Sequence, residues 1–159
     1  MSSQGRETTQ TEPVSASMTG EQRKAIALEY LKRLDRGEDF FELFDDHIQF
    51  MFPKVGLVNG IDATKEAFGK VASLLKGITH DYAYFNYVVN GDTVVVEGTS
   101  SGTTVDGVEF RAGVTHAGRW CDVLEIRDGR IQRLFVYLDP DYAGADTERY
   151  PWLAKESAS

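Results

Sequence analysis

The chain has 159 residues and a formal charge of −8, with 17 basic against 25 acidic side chains. A single domain of that size buries roughly two-thirds of the surface that its unfolded chain exposes, so it needs no disulfide or metal staple. The acidic balance excludes a basic nucleic-acid face and attraction to anionic membranes, the lone Cys121 excludes an internal disulfide and fits a reducing, cytoplasmic compartment, and no run of about 18 apolar residues forms a membrane helix.

Residues 1–18 are Ser, Thr, Gln and Glu with almost nothing apolar, and are expected to be a disordered tail without the apolar core of a signal peptide. Thr19 followed by Gln22 reads as a capping box. Ala25, Leu28, Leu31 and Leu34 then recur at helical spacing, with Ala27 and Tyr30 flanking the stripe, and Gly37 ends the helix. A short second helix is expected over Phe40–Phe44, and a strand over His47–Phe52, stopped by Pro53. A loop with Gly56 and Gly60 leads to a third helical stripe, Ala63, Ala67, Phe68, Val71, Leu74 and Leu75, ending at Gly77.

From there the pattern turns to β. Strands Tyr82–Val89 and Thr93–Thr99 flank Asn90-Gly91, a strong hairpin signal. Val105-Asp106-Gly107 marks a second turn, and Asp128-Gly129 joins Arg119–Arg127 to Ile131–Leu138. Residues 140–159 form an aromatic extension with Tyr142, Tyr150 and Trp152, expected to pack on the domain or on a second subunit. Helices first and hairpin-linked strands later imply an α+β fold, with three N-terminal helices on one face of a curved antiparallel sheet.

This order of elements resembles the nuclear transport factor 2-like (NTF2-like, cystatin-like) superfamily, which includes ketosteroid isomerase, SnoaL-like polyketide cyclases, scytalone dehydratase and limonene epoxide hydrolase. The carrying segments are AIALEYLKRLDRGEDFFELFDDHI, GLVNGIDATKEAF and CDVLEIRDGRIQRLFVYLD, within a domain spanning 19–139. The resemblance implies a cone around an apolar pocket and a homodimer through the outer face of the sheet.

Alternation along Arg119–Arg127 puts Trp120, Asp122, Leu124 and Ile126 on one face, apolar apart from Asp122. A carboxyl group there is either hydrogen-bonded for structure or held with a raised pKa that suits proton donation. The resemblance places Asp122 where ketosteroid isomerase has its hydrogen-bond-donating acid, and where SnoaL-like cyclases have their acid/base. It places Tyr30, otherwise a core tyrosine, at the isomerase's oxyanion tyrosine; the tyrosine and protonated aspartic acid pair is a known arrangement in that enzyme. Phe52 stands where the isomerase has its proline-adjacent aspartate base. Val136 matches the place of an epoxide hydrolase aspartate, so both of those routes lack a residue.

His80 is similar in position to a catalytic histidine of the dehydratase and suits proton transfer near neutral pH; the plainer reading is a capping histidine. His116 and His47 read as solvated, Glu97 as outward-facing unless a bulge turns it inward, and Cys121 as structural. No metal-ligand spacing and no phosphate or dinucleotide motif is present, so neither metal nor cofactor is expected. Candidate pocket walls are Phe50, Phe52, Phe68, Phe85, Trp120, Val96, Leu124 and Val136.

Two functions compete on this reading. One is an acid/base isomerase, cyclase or dehydratase acting on a hydrophobic carbonyl- or hydroxyl-bearing molecule such as a polyketide, terpenoid or steroid-like compound, using Asp122, Tyr30 and His80. The other is a non-catalytic module that holds an apolar ligand, or a structural dimer with a filled pocket.

Overall fold

A computed structural model describes residues 17–153; most of the expected N-terminal tail and the end of the aromatic extension lie outside them. Met18, assigned to the tail, belongs to the fold: it packs on the core and its carbonyl accepts a 2.8 Å bond from Arg23.

Helix α1 runs Gly20–Arg36, opened by the Thr19–Gln22 capping box and closed by Gly37 at φ 68°. Both ends follow the sequence, but the buried stripe is rotated from the expected one. Arg23, Ala27, Tyr30 and Leu31 face inward, whereas Ala25 is exposed. Arg23 holds an inner position because each of its three guanidinium nitrogens donates a bond: Nε to the Ile126 carbonyl at 2.8 Å, Nη1 to the Met18 carbonyl at 2.8 Å and Nη2 to Asp92 at 2.7 Å.

The expected second helix is a single 3₁₀ turn, Phe41–Leu43, so among the described residues two α-helices stand where three were expected. Strand β1 (Phe44–Phe52) starts three residues early, and the predicted loop contains an edge strand, β2 (Gly56–Asn59). Helix α2 (Ile61–Ala72) stops before Leu75, which opens β3 (Leu75–His80) instead of extending the helix. A 3₁₀ turn, Tyr82–Tyr84, replaces the start of the expected strand, leaving β4 at Asn86–Asn90. Strands β5 (Thr93–Thr104), β6 (Glu109–Arg111), β7 (Arg119–Arg127) and β8 (Arg130–Leu138) follow.

The sheet runs β2-β1-β8-β7-β5-β3, with β4 and β6 also on β5. All the pairings are antiparallel except β1 with β8. The long β5 produces the curvature. Its first half pairs with β4 and β7, and its second half with β3 and β6. Two glycines allow this: a Cβ on Gly98 would sit 2.8 Å from both the Phe85 and Trp120 rings, and one on Gly102 2.2 Å from the Gly77 carbonyl oxygen. Aromatic packing then seals one end. Phe68 of α2 stacks on Phe50 at 4.5 Å and meets Phe40, Phe41, Phe44 and Tyr30. Burying a ring such as Phe44 or Phe50 completely contributes about 1.5–3 kcal/mol.

Candidate functional site

Between the C-terminal half of α1, the end of α2, β3 and the concave face of β7–β8 lies a cavity of about 460 Å³. Tyr30, His80 and Asp122 all line it, although 92 residues of sequence separate Tyr30 from Asp122. Phe52, Phe68, Trp120 and Val136 form apolar wall. The other expected wall residues are elsewhere. Phe50, Val96 and Leu124 are fully buried in the core beneath the cavity, and Phe85 packs edge-on behind Trp120 at 5.1 Å. A ring that fills the core cannot be told from one that lines a void by sequence, since both are apolar and inward-facing.

The alternation of β7 is present as read: Trp120, Asp122, Leu124 and Ile126 are buried, and the residues between them are not. Asp122 pairs across the sheet with Val96 on one side and Val136 on the other, so neither neighbouring strand offers it a polar side chain. It is 3% exposed and has no hydrogen-bond partner among the described residues. Burial therefore pushes its carboxyl from 3.8 up to about 8, which leaves it largely protonated at neutral pH. Tyr30 is equally buried; desolvation, then the nearby Asp122 charge, raise its phenol well above the usual value.

His80 ends β3, opposite Ser100 of β5, and is not a surface cap: it is 7% exposed. Its Nδ1 lies 2.6 Å from Asp35 Oδ1, and its backbone N–H donates to Asp35 Oδ2 at 2.9 Å. Tyr82 donates its hydroxyl to the same Oδ2 at 2.5 Å. Burial pushes the Asp35 carboxyl up, but the His80 and Tyr82 bonds outweigh it and hold the group below its ordinary value. With Nδ1–H given to Asp35, a neutral imidazole keeps the lone pair on Nε2 free to accept a proton. The His80 ring also meets Trp120 edge-on at 5.1 Å, and the indole Nε1 is a buried donor without a partner among the described residues.

Asp35 was not anticipated. A signal was available, because it sits in the last turn of α1, where the helix dipole disfavours a negative charge. An acid so placed needs donors from elsewhere, and β3 supplies them. Tyr142 also lines the cavity, 6% exposed, from the segment after β8. The other candidates lie outside: His47 and His116 are exposed, and Glu97 is exposed and accepts from Asn86 at 2.9 Å. Cys121 is half-buried on the other face of β7, its thiol pushed up by burial and by the charges of Asp122 and Glu97. No group of three or more His, Cys, Asp or Glu side chains among the described residues is gathered to hold a metal, and no helix there is long and apolar enough to cross a membrane.

A curved sheet wrapped around helices is the NTF2-like or cystatin-like α+β fold. Within it, residues 28–134 match the SnoaL-like domain, and the chain belongs to that family. Among solved structures, an NTF2-like protein from Burkholderia xenovorans LB400 is 16% identical over 80% of this chain and 96% of its own, with a TM-score of 0.62. An NTF2-like protein of unknown function from Exiguobacterium sp. 255-15 is 25% identical over 72% and 98%, with a TM-score of 0.58. TerC, co-crystallised with polyporic acid, is 18% identical over 74% and 92%, with a TM-score of 0.62. No curated protein matches the chain. Fold and family together support a ligand-binding or isomerase-type domain.

Proposed function

We propose that the protein is an acid/base enzyme of the isomerase, cyclase or dehydratase type that works with its own side chains. Its substrate is a hydrophobic small molecule bearing a carbonyl or hydroxyl group, of polyketide, terpenoid or steroid-like character. One observation carries this: Asp122 is a buried carboxyl group without a partner among the described residues, lining an apolar cavity and protonated near neutral pH. Such a group costs stability and is retained where a proton must be donated.

In this reading Asp122 and Tyr30 donate hydrogen bonds to a substrate oxygen, and those bonds strengthen as negative charge develops on it. His80, oriented by Asp35, takes a proton from the adjacent carbon or hydroxyl through Nε2 and returns it at the new position, so the protein ends as it began. Proton transfer by a positioned group of this kind supplies about 10²–10⁴-fold in rate. His80 answers the question left by Phe52, since the base approaches from β3 instead of β1. The lone, half-buried Cys121 is compatible with a cytoplasmic setting. A homodimer through the outer sheet face would cover the exposed Val88 and Tyr137.

The test is turnover of a panel of apolar enolisable ketones, enols and β-hydroxy ketones by wild type, Asp122→Ala and His80→Ala. Loss of turnover in both variants, with wild-type circular dichroism, is the expected result. Turnover that survives Asp122→Ala removes the assignment. The second reading, a binding module, is favoured by the phenyl ring of Phe52 on the wall. It predicts ligands that bind and leave unchanged, with affinity indifferent to His80.

A further inference from the structure

The segment after β8 is built into the pocket. The Asp139 carboxylate accepts the Asp141 N–H at 3.0 Å, and the Asp141 carboxylate accepts the N–H groups of Ala145 at 3.0 Å and Asp146 at 2.7 Å. These links fold the chain back on itself. The Tyr142 N–H bonds the Pro140 carbonyl at 2.9 Å, and the Tyr142 ring packs on Phe110 of β6 with centroids 4.8 Å apart. Tyr142 is thus anchored by its turn and its ring, while its hydroxyl makes no hydrogen bond among the described residues. The same is true of the Tyr30 hydroxyl and the Asp122 carboxyl. All three groups line one cavity, and the Asp122 charge acts on both phenols.

Three O–H groups of buried residues, none with a partner among the described residues, thus open into one largely apolar space, where only water or a ligand can accept from them. Each of these groups has an O–H to donate, so a ligand oxygen placed among them is met by donors. A neutral carbonyl oxygen has two lone pairs and is saturated by two donors. An oxygen carrying negative charge accepts three.

We propose, resting on the pocket reading above, that Tyr142 is a third donor to the ligand oxygen held by Tyr30 and Asp122. The ligand class is then enols and phenols bound through an acidic oxygen, with the C-terminal segment an integral wall of the site.

The probes are 2-naphthol and naphthalene, which differ only by the hydroxyl group. Their binding to the full-length protein at pH 6 is followed by calorimetry and absorbance, for wild type, Tyr142→Phe and Tyr30→Phe. Phenylalanine keeps the ring on Phe110, and thermal melts confirm that the fold is retained. Wild type is expected to prefer naphthol, Tyr142→Phe to lose about tenfold in naphthol affinity with naphthalene unchanged, and the absorbance of naphthol, neutral in solution at pH 6, to shift toward the ionised form when bound to wild type. If Tyr142→Phe binds both probes as wild type does while Tyr30→Phe loses naphthol, the proposal falls and the Tyr30–Asp122 pocket stands. If wild type has no preference for the hydroxyl, both fall together.

Discussion

Replacing Asp122 by asparagine keeps the shape of the protonated acid and removes its titration. In the folded protein the carboxyl titrates at about 8, and in the unfolded chain near 3.8. Between those values the folded state holds a proton that the unfolded state has released. Wild-type stability therefore falls as pH rises, by about 1.36 kcal/mol per pH unit, and the loss levels off above pH ~8. The asparagine variant has no such slope. From pH 5 to pH 7 the difference should move in its favour by about 2.5 kcal/mol, the two-unit interval less the rounding at each end. By pH 7 the whole burden on the wild type is about 4 kcal/mol, a large share of the stability of a domain this size. Urea unfolding of both proteins at pH 5, 6, 7 and 8 measures the gap directly. A gap that does not change with pH would refute the reasoning. So would a pH-independent loss of about 3 kcal/mol or more on substitution, the behaviour of a carboxylate taken from a buried ion pair.

Three further outcomes are expected. Asp35→Asn weakens the hold on His80; kcat on any substrate found should fall about 10²-fold with little change in KM, and unchanged kcat would remove Asp35 from the mechanism. Because the Asp35 carboxyl is held below its ordinary value, its contribution to stability is present at neutral pH and lost in acid, so the variant and wild-type unfolding curves should converge as pH falls. Gly102→Ala puts a methyl group 2.2 Å from the Gly77 carbonyl and 2.6 Å from Phe110, and should cost about 3 kcal/mol in urea unfolding; a change under about 0.5 kcal/mol would mean that β3 yields freely. Arg23→Met keeps the aliphatic stem but strips donors from the carbonyls of Ile126 and Met18, at a cost of about 2 kcal/mol by the same measurement.

The features legible in the sequence are those set within a few residues. The Thr19–Gln22 box and Gly37 define α1 because a helix end must satisfy its own backbone groups locally. Asn90-Gly91 and Asp128-Gly129 mark their hairpins because those turns need residues that tolerate positive φ, as Gly91 at 56° and Asp128 at 54° do. The exposure of Asp122 to an apolar face follows from alternation alone, because β7 is long and regular.

Tertiary structure decided the rest. Leu74-Leu75 continues the period of α2, yet Leu75 joins β3 because β5, almost thirty residues on, offers an edge. The helical stripe turns toward Arg23 only because Ile126, Met18 and Asp92 supply its acceptors. The pairing of Asp35 with His80 spans 45 residues, and Tyr142 reaches the cavity through contacts with β6. Short-range sequence determines which groups a segment can offer and which way a regular strand turns them. Which groups meet depends on how the strands and helices pack, a packing close enough at Gly98 and Gly102 to leave no room for a side chain.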